Sequence, residues 1–192
     1  GVHIIPAESG ELASGLDGQG RMAEPENIIE FVRTNFRPNQ ILNGQKVLIT
    51  AGPTYEPIDP VRFVGNHSTG KMGYALAETA LNLGADVTLI SGPTHLTINH
   101  QRLNLIKVNT AEQMNELALS HFKNSTICIA TAAVADYQPT TLSDKKIKKT
   151  KNRLHIELQP TPDILANLGH EKQKQLLVGF ALETDNEIEN AR

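Results

Sequence analysis

Three stretches of this 192-residue chain hold side chains whose types and spacing could do chemistry. The first runs Gly65-Asn66-His67-Ser68-Thr69-Gly70-Lys71-Met72. It fits the G-x-x-x-x-G-K spacing of a phosphate-binding loop, but Met72 stands where such a loop needs a Ser or Thr hydroxyl for magnesium. Thirteen loop residues, 52–64, also separate it from the strand that should feed it. A true P-loop is therefore not expected. The physics beneath the motif survives: Ser68, Thr69 and Gly70 lie at a predicted helix start, where free N–H groups and the helix dipole favour an anion. An ordinary helix cap with Lys71 in solvent is the alternative.

The second stretch is Thr131-Ala132-Ala133-Val134-Ala135-Asp136-Tyr137, at the carboxyl end of a predicted strand. In open α/β sheets ligands bind outside the carboxyl ends of the strands. Small alanines let a flat or extended ligand approach the backbone, and Asp136 can accept from a base, a ribose or a metal-bound water. A plain strand end with a capping Asp is the other reading. The third is the run from Lys145 through Lys146, Ile147, Lys148, Lys149 and Thr150 to Lys151, with Arg153. Such runs are commonly solvated faces or nucleic-acid patches. Few aromatics accompany this one, which suits a basic flap over a polyphosphate better than a base-stacking surface.

Other candidates carry less. His67, His95, His100 and His121 lack metal-ligand spacing, so a structural or exposed role is the default. Cys128 sits inside an apolar strand and reads as core, not as a nucleophile. No Gly-x-Ser-x-Gly or Cys/His pair points to covalent hydrolysis.

The elements that must position these groups follow from hydrophobic pattern. Residues 1–22 read as loop, and 25–36 as a helix with Ile28, Ile29, Val32 and Phe36 near one face. A polar, turn-rich linker follows at 37–45. Lys46–Gly52 is a short apolar strand, and a long loop leads from it to the helix that opens at Lys71. That helix carries Met72, Ala75, Leu76, Ala80 and Leu83 at helical spacing and stops at Gly84. Strands are predicted at 85–92, 103–109 and 125–133, the last an apolar run suited to burial on both faces. Thr110 and Gln113 form a capping-box start for the helix between the last two. Alternating strands and helices argue for an α/β fold with a mostly parallel sheet. Arg153–Gln159 alternates apolar and polar residues, so 137–160 reads as an excursion containing a strand wet on one side. A short helix at 162–169 and a buried strand at 175–183 follow, and a helix opening at Thr184–Glu187 runs to the last residue, Arg192, which points to a longer polypeptide.

Composition narrows the function classes. The formal charge is −3, from 18 Lys plus Arg against 21 Asp plus Glu, and gives no general attraction to nucleic acid or anionic membrane. One cysteine excludes a disulfide framework and all-cysteine zinc sites. No apolar run reaches the ~18 residues of a membrane helix. No signal peptide is evident at the start, so a cytoplasmic protein is expected.

Taken in order, ITAGPTYEPIDPVRFVGNHSTGKMG, ATAAVADYQP, KKIKK, PTPDIL and VGFALET resemble phosphopantothenoylcysteine synthetase, over roughly residues 46–192. The stretch GELASGLDGQGRMAEPENI resembles the end of a flavin-dependent phosphopantothenoylcysteine decarboxylase, which would make residues 1–36 the tail of a second domain. The resemblance implies a Rossmann-like sheet with helices on both faces, a projecting basic hairpin or flap, and a homodimer with its site near the interface. It implies joining of 4′-phosphopantothenate to L-cysteine at the expense of CTP with Mg2+, through an acyl-cytidylate.

On that resemblance Asn66 orients the acyl carbonyl, Arg62 helps to bind phosphopantothenate, and Ser68, Thr69, Gly70 and Lys71 line the phosphate or carboxylate side. Ala130, Thr131 and Ala132 meet the nucleotide through backbone, with Asp136 close by. Lys146 stabilises the α-phosphate transfer, and Thr161, Pro162 and Phe180 frame the cytidine. Two departures stand out. The family's further lysine-containing nucleotide segment lies beyond VGFALET and is absent here. Ser14 stands where the decarboxylase pattern has a proton-donating Cys, and a hydroxyl is a far poorer acid than a thiol. FMN is implied only for the decarboxylase body. Some relatives outside bacteria use ATP, and the residues alone do not separate the two bases. A nicotinamide oxidoreductase is disfavoured because AGPTYE lacks the glycine spacing after its strand. A nucleic-acid-binding module built on the basic run is opposed by the acidic balance.

Overall fold

The computed structural model describes residues 2–11, 15–36 and 40–181. The chain divides into two compact units, residues 1–40 and 41–192. In the first, β1 (Glu8–Glu11) pairs antiparallel with β2 (Asp17–Arg21), and α1 (Pro25–Phe36) follows. The expected loop at 1–22 is thus corrected to a hairpin; its glycine-rich strands show no apolar alternation to read. The helix bounds are those predicted, but Ile29, Val32 and Phe36 lie exposed.

In the second unit β3 (Lys46–Ala51) is followed by a small hairpin, β4 (Tyr55–Pro57) with β5 (Phe63–Gly65), and then by α2 (Lys71–Asn82). The sequence reading had only a long loop where this hairpin stands. Next come β6 (Asp86–Ser91), β7 (Leu103–Lys107), α3 (Ala111–Phe122) and β8 (Ile127–Ala130). Then β9 (Tyr137–Pro139) and β10 (Leu158–Pro160) pair antiparallel at the root of the excursion. The described chain ends with α4 (Ile164–Glu171) and β11 (Leu176–Gly179). The helix expected after Thr184 lies outside the described residues.

Five strands form one parallel sheet in the order β11-β8-β3-β6-β7. This is the Rossmann-like arrangement expected, with the strand order reversing between β3 and β8. Side-chain alternation along β3 builds two cores. Val47, Ile49 and Ala51 face α2 with Tyr74, Ala77 and Leu81, while Leu48 faces α3 and α4 with Met114, Phe122 and Leu168. The helices therefore cover both faces. Cys128 lies in the second core, fully buried, and burial pushes its thiol up to about 12 from 9.0. It is inert packing, as read. No helix among the described residues is long and apolar enough to cross a membrane.

Local signals account for the helix ends. Thr110 and Gln113 form the capping box that opens α3. Gly84, at φ 96°, closes α2: its N–H donates to the Leu81 carbonyl and the Ala85 N–H to the Ala80 carbonyl, both at 3.0 Å.

Three strand expectations need correction. The alternation at 153–159 produces no strand before Leu158, and Leu154, Ile156 and Leu158 are all exposed. The strand expected to be buried at 175–183 is β11, an edge strand among the described residues, with Leu176 and Phe180 exposed. The run expected to be buried on both faces shortens to β8, where only Cys128 is fully buried.

The buried face of α2 also differs from the one expected. Met72 and Ala75 face solvent, and Gly73, Tyr74, Ala77, Ala80 and Leu81 pack inward. Gly73 explains the rotation. A Cβ there would stand 2.5 Å from the Ala51 Cβ and 2.6 Å from the Thr131 hydroxyl, so only glycine lets the first turn of α2 lie on the ends of β3 and β8. Replacing Gly73 by Ala is expected to destabilise the domain by about 1–3 kcal/mol through overpacking. Urea unfolding reads this directly; an unchanged midpoint would mean that the helix does not press on β3 this closely.

Candidate functional site

The point where strand order reverses is where an open α/β sheet leaves a crevice. Here a cleft of about 810 Å³ opens at the carboxyl ends of β3 and β8. Five separate segments line it, with Thr50 supplied by β3 itself. Asn66 arrives directly after β5, and Ala130, Ala132 and Asp136 come from β8 and the loop that follows it. Thr161 and Pro162 come from the β10–α4 connection, and Phe180 from the end of β11. An adjoining cleft of about 440 Å³ is lined by Ser68, Thr69, Gly70 and Lys71 together with Thr131. Most of the sequence-predicted residues are therefore brought together in two neighbouring cavities.

The walls are held by specific bonds. The Thr131 hydroxyl donates to the Thr50 carbonyl at 2.6 Å, and the Ala135 N–H donates to the buried Thr54 hydroxyl at 2.9 Å. Asn66 Nδ2 donates to the Val134 carbonyl at 2.8 Å, which leaves its second N–H for the cleft. The Thr161 hydroxyl donates to the Ala135 carbonyl at 2.5 Å and its N–H to the Asp136 carbonyl at 3.0 Å. The hydroxyls of Thr131 and Thr161 thus bind the walls to each other.

The second cleft faces the start of α2. Gly70 occupies the N-cap with φ 75° and no side-chain cap. The Gly70 N–H donates to the Ser68 hydroxyl at 3.2 Å and the Lys71 N–H to the Thr69 hydroxyl at 3.4 Å. Among the described residues nothing accepts from the N–H groups of Met72 and Gly73. The helix N-terminus therefore keeps donors and a positive dipole end available for an anion.

Two predicted residues are not on these cavities. Arg62 and Lys146 line neither. Arg62 pairs instead with buried Asp59: its Nε donates to Asp59 Oδ2 at 3.0 Å, Nη2 donates to the same oxygen, and Nη2 also donates to the Ile147 carbonyl at 2.7 Å. The N–H groups of Val61 and Arg62 reach Asp59 Oδ1 at 2.8 and 2.9 Å, and the Ile147 N–H reaches Oδ2 at 3.0 Å. Burial alone would raise the Asp59 carboxyl, but these donors, the Arg62 guanidinium foremost, hold it well below the usual carboxylate range. Lys145, Lys146 and Lys148 are exposed. Ser14 lies outside the described residues.

Three further residues at or beside the clefts lie outside the set expected from the sequence. Asp59 was invisible because its far partner, Ile147, is 88 residues away. Buried Glu56 accepts from the Ala111 N–H at 2.9 Å and so seats β4 on the start of α3. His67 lines both cavities, and its place inside the Gly65–Lys71 motif was the available signal. Among the described residues no group of three or more His, Cys, Asp or Glu side chains is set to hold a metal. Asp136 and Asp163 are both exposed carboxylates on the main cleft, and Asp163 accepts from the Ala166 N–H at 2.9 Å as the cap of α4. Such a donor set fits a magnesium ion that takes most of its ligands from water or a bound phosphate.

Residues 42–192 match the family described as the DNA/pantothenate metabolism flavoprotein C-terminal domain. A cysteine/cysteine sulfinic acid decarboxylase from an unknown prokaryotic organism is 55% identical over 196 residues, which cover 100% of this chain and 55% of that protein. The coenzyme A biosynthesis bifunctional protein CoaBC of Bacillus subtilis (strain 168) is 50% identical over 188 residues, covering 97% of this chain and 46% of that protein. The chain spans about half the length of these curated relatives. Among solved structures, the C-terminal domain of a CoaBC protein aligns with a TM-score of 0.68 at 50% identity, covering 80% of this chain and 71% of that one. The matched segment holds both clefts and the whole parallel sheet, and the chain belongs to the DNA/pantothenate metabolism flavoprotein C-terminal domain family.

Proposed function

We propose that residues 46–192 form a phosphopantothenate–cysteine ligase domain of coenzyme A biosynthesis, and that residues 1–36 close a decarboxylase domain to which FMN belongs. The observation that carries this reading is the gathering of Asn66, Asp136, Thr161 and Phe180 around one cleft at the strand-order reversal, next to an uncapped helix start. An alanine-lined backbone wall suits a nucleotide, and the free N–H groups of α2 suit an anionic end of the second substrate. The names of the CoaBC relatives support the same pathway. Location in the cytoplasm follows from the pathway. A homodimer belongs to the reading too, and exposed Val61, Phe63, Tyr137 and Leu158 on the neighbouring β4–β5 and β9–β10 hairpins support it.

The reaction runs in two displacements. A carboxylate oxygen of 4′-phosphopantothenate attacks the α-phosphorus of CTP; the bond to the β-phosphate oxygen breaks, and pyrophosphate leaves with Mg2+ as its counterion. The amine of L-cysteine then attacks the acyl carbonyl, CMP leaves with the C–O bonding pair, and the amine loses a proton. Lys146 supplies positive charge to the phosphoryl transfer, and the free N–H of Asn66 holds the acyl oxygen as it gains charge in the second step.

These roles separate by half-reaction. In the intact polypeptide Asn66→Asp is expected to leave pyrophosphate release near its normal rate and to slow amide formation by about 10²-fold or more, because a donor becomes an acceptor. An equal loss in both steps would remove that role. Lys146→Gln is expected to slow pyrophosphate release by on the order of 10²-fold with the cysteine step spared; unaltered release would count against it. Calorimetry with magnesium and either CTP or ATP addresses the base. Preference for CTP supports the bacterial type, preference for ATP the variant ligase, and binding of neither by this chain, followed by none in the intact polypeptide, would overturn the nucleotide reading.

A further inference from the structure

Lys146 is exposed, yet the segment that carries it is held in place. Residues 143–147 are fastened to the turn of the β4–β5 hairpin by long-range bonds. The Ser143 N–H donates to the Ile58 carbonyl at 3.1 Å, the Ile147 N–H donates to Asp59 Oδ2 at 3.0 Å, and Arg62 Nη2 donates to the Ile147 carbonyl at 2.7 Å. The residue immediately after Lys146 is thus pinned through both of its backbone groups. The geometry points to Asp59 as a positioning residue: its carboxylate, with Arg62, docks the basic strap onto the hairpin that leads into Asn66 and so restrains the stretch of chain from which Lys146 must reach the cleft.

A purely local role does not account for these contacts. The Val61 and Arg62 N–H groups would close the turn on Oδ1 alone, as in any Asp-initiated turn. Oδ2 reaches across 88 residues instead, and the carboxylate is buried while doing so. A buried charge persists only when every lone pair is answered, and here part of the answer is the strap. The hairpin's second strand ends at Gly65, one residue before Asn66, while the excursion leaves from Asp136 and returns at Thr161, both on the cleft. One carboxylate thereby ties the strap to the segment that leads into Asn66.

The inference rests on the role given to Lys146, and its test separates the two. In the intact polypeptide, Asp59→Asn is expected to raise trypsin cleavage after Lys146 by about tenfold, since the scissile peptide carries the N–H that Asp59 holds. Cleavage at wild-type rate overturns the proposal whatever the activity. For pyrophosphate release, Asp59→Asn is expected to cost about tenfold with Lys146 present and almost nothing in a Lys146→Gln background. A merely structural carboxylate would cost the same in both, and that result overturns it too. If Asp59→Asn does not fold, Ile147→Pro removes the one N–H, leaves the Asp59–Arg62 pair, and must show the same dependence on Lys146. If Lys146→Gln alone leaves pyrophosphate release untouched, the lysine's role under the proposed function falls, while the cleavage rate still decides whether Asp59 docks the strap.

Discussion

Parallel pairing between β3 and β8 does not stop where the strands stop. The Ala132 N–H donates to the Thr50 hydroxyl at 3.3 Å, the Ala133 N–H to the Gly52 carbonyl at 2.9 Å, and the Ala135 N–H to the Thr54 hydroxyl at 2.9 Å. These bonds lie beside Thr50 and Thr54, which are almost wholly buried, and leaving one such group unpaired costs about 1–3 kcal/mol. The loop after β8 has no regular structure of its own, yet it is zipped to the chain leaving β3. Two further cleft residues are then hung from that loop: Asn66 from the Val134 carbonyl and Thr161 from the Ala135 carbonyl. Small side chains at 130, 132, 133 and 135 are the condition for this, because bulk there would part the two segments.

The same requirement explains what was legible in the sequence. Apolar strands, the capping box at Thr110 and the stop at Gly84 are local signals, so the parallel α/β body could be read directly. The motifs Gly65–Lys71 and Thr131–Asp136 were legible as sites because glycine and alanine mark places where backbone must be approached. Helix α2 misled for a related reason. Met72, Ala75, Leu76, Ala80 and Leu83 marked the expected face, whereas the buried one runs through Gly73, Tyr74, Ala77, Ala80 and Leu81, and Gly73 and Ala77 are residues that an apolar pattern underweights.

Elements held by distant partners were not legible. Strands β4 and β5 are three residues each, too short for periodicity; they persist because Tyr55 stacks on Phe63 at 3.8 Å, the Tyr55 N–H reaches the Asn109 carbonyl at 2.7 Å and Glu56 caps α3. Conversely, Leu154 and Ile156 alternate as a half-buried strand should, yet no apolar face among the described residues covers them. Alternation states which side chains share a side, and burial needs a second surface. Asp59 belongs to this group as well, since nothing near it in sequence announces the Ile147 peptide.

The placing of charge then follows a consistent logic. An arginine open to the cleft would attract triphosphate substrate and pyrophosphate product alike, and binding both equally leaves the barrier between them unchanged. Here Arg62 is spent on Asp59 and the Ile147 carbonyl, and no arginine lines either cleft among the described residues. Fixed attraction for an anion is left to the partial charge of the α2 N-terminus, which is modest and directional. Lys71 adds one full positive charge at that helix start, and the cluster of further lysines sits on the strap, where its position depends on the bonds that dock it. Under the proposed reaction, charge delivered in this way acts at one place and in one geometry, which is the condition for stabilising a transition state more than either bound state.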